Sequence, residues 1–226
     1  IVNSSGVDVS WTAWTGHCEF IVNAGAGRDQ VELWTERDFA APEPDALADL
    51  VRARLAAARD RLAAVPTPDC AGLPLVLAGE LAGEVYAWFK ANLSAQAAYE
   101  KRAAFGLGDD AGGPGDGDRL ELSAVGALPH AAAGAPFDSD GFPLGSASCI
   151  EDGMVRRLVA PLKYARYLGL EPTGNLRLFR LKGGRRSAAE LRGRPHIEVV
   201  DFSDFYVDPT ARSEEHTSEL QSRSDL

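Results

Sequence analysis

Ser146-Ala147-Ser148-Cys149-Ile150-Glu151-Asp152-Gly153-Met154-Val155-Arg156-Arg157-Leu158-Val159-Ala160 is the stretch that decides the fold. Glu151-Asp152-Gly153 stands between two β-prone runs, 146–151 and 154–160. An Asp-Gly pair in that position is a tight-hairpin signal, because glycine takes a positive φ at no steric cost. Further β-prone runs lie on either side, at 120–125, 175–181 and 197–207, with room for a short helix at 161–170. Strands bunched after helices favour an α+β fold over a doubly wound sheet.

The helices stand upstream. Pro42-Glu43-Pro44-Asp45 reads as a helix entry, with acidic residues where the helix dipole favours them. Leu47, Leu50, Val51, Leu55, Ala58 and Leu62 then recur at three- and four-residue steps. This predicts an amphipathic helix to about Val65, closed by Pro66 and Pro68. Leu73-Pro74-Leu75-Val76-Leu77 predicts a short buried strand. A second helix is expected over 79–102, with Val85, Trp88, Phe89 and Leu93 on one side. At the start of the chain, alternating runs at 7–14, 17–22 and 30–35, punctuated by Gly25 and Gly27, predict an antiparallel meander.

The expectation is therefore an α+β chain with antiparallel β-rich sheets and two main amphipathic helices, truncated at both ends. Residues 1–41 read as a β-meander ending an N-terminal α/β domain. Residues 42–118 read as a helical and linker region with one strand and a Gly/Asp-rich loop. Residues 119–211 read as an incomplete β-rich C-terminal domain. The final stretch, 212–226, is expected to be foreign to the protein. Its Arg212-Ser213-Glu214-Glu215-His216-Thr217-Ser218-Glu219-Leu220-Gln221-Ser222 is the translation of a sequencing-adapter oligonucleotide. Ile1 is not an initiator, and Asn3-Ser4-Ser5-Gly6 reads as a turn inside a domain already under way.

Charge and composition exclude several functions. The net charge is −10, so the chain repels phosphate backbones and no nucleic-acid partner is expected. No apolar run reaches the roughly 18–20 residues of a membrane-spanning helix, so no membrane is expected either. The 106–118 loop carries Asp109, Asp110, Asp116 and Asp118 without the lysine of a phosphate loop. It reads as a solvated insertion, the least ordered part of the natural sequence. Cys18, Cys70 and Cys149 are odd in number and widely spaced. They form neither a disulfide framework nor a zinc knuckle, which points to a reducing cytoplasm. A preference for Arg over Lys, with abundant Ala, suggests a GC-rich bacterial genome.

The chemistry available is sparse. A hydrolytic zinc takes three converging ligands, commonly two histidines one helical turn apart with a neighbouring Glu. His17, His130 and His196 are far apart, and none stands in such a motif. There is no GxSxG elbow, and Ser94, Ser123 and Ser148 have no partner motif. Asp138 and Asp140, beside Gly141, could share a proton or hold a cation. Equally, they could fold an Asx-type turn whose carboxylates cap backbone N–H groups. Both readings stand at this point.

Three blocks in order carry a resemblance: Phe137-Asp138-Ser139-Asp140-Gly141-Phe142-Pro143, then Ile150-Glu151-Asp152-Gly153-Met154-Val155, then Tyr164-Ala165-Arg166-Tyr167-Leu168-Gly169-Leu170-Glu171-Pro172-Thr173-Gly174-Asn175. Their order and spacing resemble the TldD/PmbA family of peptidase-complex proteins. Asp140 replaces the commoner Glu, and Pro172 the commoner Ser. The resemblance implies a pair of related subunits, one with a HExxxH zinc motif on the helix after the short central strand, the other without it. Here that helix reads Leu81-Ala82-Gly83-Glu84-Val85-Tyr86-Ala87-Trp88, so Gly83 and Trp88 stand where the two histidines would be. The chain thus resembles the metal-free subunit. No cofactor is expected in it, zinc being carried only by a homologous HExxxH-bearing partner, with unfolded peptide as substrate. The resemblance places Asp138, Asp140, Gly141, Thr173, Gly174 and Asn175 at a shared interface or cleft, and implies no catalytic residue or metal ligand. Two other readings remain: a metallopeptidase whose ligands lie outside this stretch, and a plain α+β binding or scaffold domain.

Overall fold

An Asn3 turn opens the chain. Its side-chain oxygen accepts from the N–H groups of Ser5 (3.0 Å) and Val7 (3.3 Å), and Val2 bridges Asp8. The computed structural model describes residues 1–27, 30–113, 115–129 and 131–201. His130, the end of the 197–207 run and the 212–226 tail lie outside the described residues. The expected strand at 7–14 does not form. β1 (Gly16–Ala24) and β2 (Val31–Phe39) pair with each other along their whole length, from Gly16–Phe39 to Ala24–Val31. Among the described residues nothing offers 7–14 a ladder beyond the single bridge. The meander is thus a hairpin with an irregular leader.

α1 (Pro44–Leu62) covers one face of this hairpin. Ala58 is buried with Val22 and Leu33, and Leu47, Leu50 and Val51 are half-buried. Leu55 and Leu62, expected on the apolar stripe, are 43% and 42% exposed. β3 (Leu75–Leu77) pairs in parallel with β8 (Ile197–Val199), a long-range pairing that no local pattern announces.

The expected single helix over 79–102 is two helices. α2 (Glu80–Asn92) stops at Leu93, and α3 (Ala95–Tyr99) restarts after Ser94, whose Oγ accepts from Ala97 N–H at 3.4 Å. At the break the backbone changes partners: Ala95 donates to the Val159 carbonyl (2.9 Å) and Val159 donates to Leu93 (2.8 Å). Asn92, 1% exposed, secures the corner, donating to the Trp88 carbonyl and accepting from Ala104 N–H at 2.7 Å. Tertiary hydrogen bonds here replace the helical ladder. Helix propensity alone does not foresee them.

β4 (Leu122–Val125), β5 (Ser146–Glu151), β6 (Met154–Val155) and β7 (Leu178–Leu181) form an antiparallel sheet in the order β6-β5-β4-β7. Asp152 (φ 47°) and Gly153 (φ 75°) make the two-residue turn between β5 and β6. Two positive φ values give the type I′ geometry that matches strand twist. The principal core sits on this sheet, with Leu93, Leu122, Ile150 and Val155 almost wholly buried. α4 (Leu162–Leu168) closes it and ends on Gly169 in the left-handed conformation. α5 (Ala188–Arg192) begins with a Ser187/Glu190 capping box.

The Gly/Asp loop is less free than its composition suggests. Gly108 donates to Val155, Val155 to Asp109, and Ala111 to Gly153, so residues 108–111 run as an extra edge on β6. Asp110 pairs with Arg119 at 2.9 Å, and Asp118 with Arg185. Asp109, Asp110 and Asp118 serve as acceptors that fold the loop back on itself and on the sheet. Two antiparallel sheets, one parallel strand pair and the helices confirm the α+β class.

Candidate functional site

Residues 137–143 form a closed turn, with Phe137 bridging Pro143. Asp138 is its centre and is 8% exposed. One carboxylate oxygen accepts from the N–H groups of Asp140 and Phe142, both at 3.0 Å, and the other from Asn175 N–H at 2.9 Å. Three donated N–H groups occupy the carboxylate, which decides for the Asx-type turn over a shared proton or a cation. Asp140 itself is exposed.

The Thr173-Gly174-Asn175 segment is locked against the turn. Thr173 is buried; its N–H donates to the Ala160 carbonyl (3.0 Å), and its Oγ1 accepts from Ala160 N–H (2.9 Å) and donates to Gly174 O (2.9 Å). Gly174 has φ 71°, and a Cβ there would meet Leu144 at 2.5 Å and Phe142 at 3.0 Å. Gly141 has φ 76°, and its missing Cβ leaves room for the Val7 side chain. Asn3 Nδ2 reaches the Asp140 carbonyl at 3.5 Å, so the N-terminal turn rests on the same point. Asp138, Gly141, Thr173 and Gly174 are therefore the framework of the site. Of the six expected residues, Asp138 and Asn175 border a smaller cavity, and Asp140 and Asn175 line a larger open space.

That space is a cleft of about 440 Å³ between α2, α3 and α4, floored by Val159, Leu176 and Phe179. Asn175 also borders a smaller cavity of about 250 Å³ beside Trp11, Phe137 and Leu144. The larger cleft is lined by Lys90, Arg102 and Lys163, three cations that sequence reasoning did not single out. Arg102 donates to Glu100 at 2.6 Å, and this bond, with help from Gln96 and the Lys163 charge, holds the Glu100 carboxyl below its ordinary value. The one signal in the sequence was local: neither Lys90 nor Lys163 has an acidic residue three or four positions away.

The histidines that are described sit in ordinary surface pairs. His17 Nδ1 lies 2.7 Å from Asp38, which raises the imidazole pKa chiefly through that hydrogen bond. His196 Nε2 lies 3.6 Å from Glu198. Cys149, on β5, is buried, and desolvation pushes its thiol up.

The profile of the PmbA/TldA metallopeptidase C-terminal domain matches residues 71–216, most of the chain. The chain belongs to the TldD/PmbA family. Solved structures agree on the fold. A putative modulator of a DNA gyrase from Thermotoga maritima superposes with a TM-score of 0.64 at 19% identity, over 84% of this chain and 45% of its own. A putative modulator of DNA gyrase from Bacteroides thetaiotaomicron gives 0.65 at 15% identity, over 89% and 46%. TldE from Thermococcus kodakarensis gives 0.64 at 16% identity, over 85% and 46%. The chain thus spans less than half the length of these relatives. No curated protein matches it.

A zinc of the kind the TldD/PmbA family description implies does not fit the residues on α2. Gly83 has no donor atom and Glu84 is exposed. Trp88 is edge-on to Phe105 at 5.0 Å and to Phe89 at 5.2 Å. An indole N–H offers no lone pair to a metal, and this ring is a packing element. Among the described residues no three His, Cys, Asp or Glu side chains are grouped to hold an ion, and no helix is long and apolar enough to cross a membrane.

Proposed function

We propose that this chain is part of a non-catalytic, modulator-type subunit of a cytoplasmic zinc-peptidase complex, in which a homologous HExxxH-bearing subunit supplies the metal and unfolded peptide is the substrate. The observation that carries this reading is the motif helix. Where two imidazoles would stand, α2 presents Gly83 and the packed ring of Trp88. The framework built on Asp138 and Thr173 shapes the cleft at which peptide or partner is received.

The test uses the uninterrupted protein that contains residues 1–211, purified alone and together with its HExxxH-bearing homologue. The two are expected to co-purify. Peptide cleavage should require the homologue and vanish on chelation, with zinc confined to that partner. Chelator-sensitive cleavage by this subunit alone, with about one zinc per chain, would overturn the proposal and favour an independent metallopeptidase. Failure to associate with any such homologue would favour a scaffold role.

A further inference from the structure

We propose that the cleft between α2, α3 and α4 receives an acidic peptide segment, whose carboxylates are held by Lys90 and Lys163. The inference deepens the peptide-handling role and rests on it only for the choice of a peptide as occupant. The cleft's charge stands on geometry alone.

Several basic side chains elsewhere on this acidic chain are matched. Arg37 meets Glu43, Arg54 meets Asp201, Arg119 meets Asp110, and Lys182 meets Glu121. Among the described residues Lys90 and Lys163 make no ion pair, yet both line the same cavity of about 440 Å³. The facing negative charges are Asp140 on the rim and Glu100, which Arg102 already neutralises. Lys90, Arg102 and Lys163 against Asp140 and Glu100 leave a local positive field in a chain of net charge −10. Such a field selects anionic ligands and speeds their arrival more than it adds raw affinity.

Two further observations favour a peptide over a small anion. The Lys163 ammonium lies 5.0 Å from the centre of the Tyr164 ring and 6.0 Å from that of Tyr167. Tyr99, Tyr164 and Tyr167 touch one another, with centroids 5.1 to 6.1 Å apart. Tyr99 and Tyr167 are 50% and 56% exposed. This aromatic surface continues the cleft and suits side chains or backbone of an extended chain. Within the cleft, the side-chain amide of Asn175 makes no hydrogen bond among the described residues, while its backbone N–H is fixed to Asp138. An amide that carries both donor and acceptor matches a peptide unit.

The experiment measures fluorescence anisotropy of a labelled, unstructured Glu-rich peptide, and of its Gln counterpart, on the full-length subunit without its partner. Lys90→Glu, Lys163→Glu and the double variant are compared with Lys182→Glu, a charge-matched change outside the cleft. All these positions are exposed, and circular dichroism confirms folding. The Glu peptide should bind more tightly than the Gln peptide, and each cleft substitution should weaken it by up to about fivefold. The double variant should abolish the preference, while Lys182→Glu leaves it intact. Equal binding of the two peptides, absence of binding, or an equal effect of Lys182→Glu would overturn the proposal. So would tighter binding of a single-stranded oligonucleotide than of the Glu peptide. Because no partner is present, this readout is separate from co-purification: either result can fail while the other stands.

Discussion

Asp138 shows how a residue that reads as chemistry can be spent on architecture. Its carboxylate accepts three backbone N–H groups, two from its own turn and one from Asn175. Replacing it by Asn leaves one oxygen and turns an NH₂ toward an N–H donor. Asp138→Asn is expected to lower unfolding free energy by about 1.5–3 kcal/mol, the range for hydrogen bonds to a charged group. Urea unfolding with an unchanged m-value checks it. Gly174 makes the neighbouring test. Its φ of 71° costs an alanine about 1–2 kcal/mol before the contact with Leu144 is counted. Gly174→Ala should therefore destabilise by at least that amount. Gly145→Ala, where a Cβ would meet nothing within 4 Å and φ is unexceptional, should be close to neutral in the same melt. The sequence singled out both residues. Whether the carboxylate served a proton, an ion or a turn depended on Asn175, 37 positions away, and no local pattern reports that.

At the scale of elements, the corner between α2 and α3 departs most from expectation. The apolar spacing through Val85, Trp88, Phe89 and Leu93 continues smoothly, and nothing in it forbids a longer helix. Yet Ser94 caps a new helix, and the backbone at 93–95 pairs with Val159. The cap hydrogen bond is long, at 3.4 Å. Ser94→Ala should cost about 0.5–1 kcal/mol, the lower part of the range for N-cap removal. Equilibrium denaturation measures that cost, and a loss above about 2 kcal/mol would mean that the hydroxyl does more than cap. The β5–β6 turn was by contrast legible, because an Asp-Gly pair carries its own geometry, although β6 stops at Val155 and not at Ala160 as expected. The N-terminal run at 7–14 failed for the opposite reason: alternation describes a strand's faces and supplies no neighbour to pair with.

Across the whole molecule, loops and edges are tied by carboxylates held below their ordinary pKa. Arg119 lowers Asp110 and Arg192 lowers Glu198; the Arg185 backbone N–H, then its guanidinium, lowers Asp118. A depressed folded pKa contributes stability that is complete above the unfolded value and disappears as pH falls through the folded one. The melting temperature should therefore begin to fall below about pH 4.5, where the unfolded carboxylates take up protons. Because these pairs are exposed, the fall should be shallow and weaker at high salt. Thermal melts across pH at two ionic strengths check this, and a salt-independent drop would rule out the exposed pairs as its cause.

The sequence by itself determined the β-rich second half, its hairpin, the first helix, the family blocks and the lack of paired imidazoles on the motif helix. These follow from short-range rules: side-chain period, turn stereochemistry and residue identity at fixed spacing. The tertiary structure alone decided the parallel pairing of β3 with β8, the break at Ser94, and the meeting of Lys90, Arg102 and Lys163 around Asn175. Those features depend on which distant segments pack together, and packing is settled by burial and hydrogen bonding summed over the whole chain.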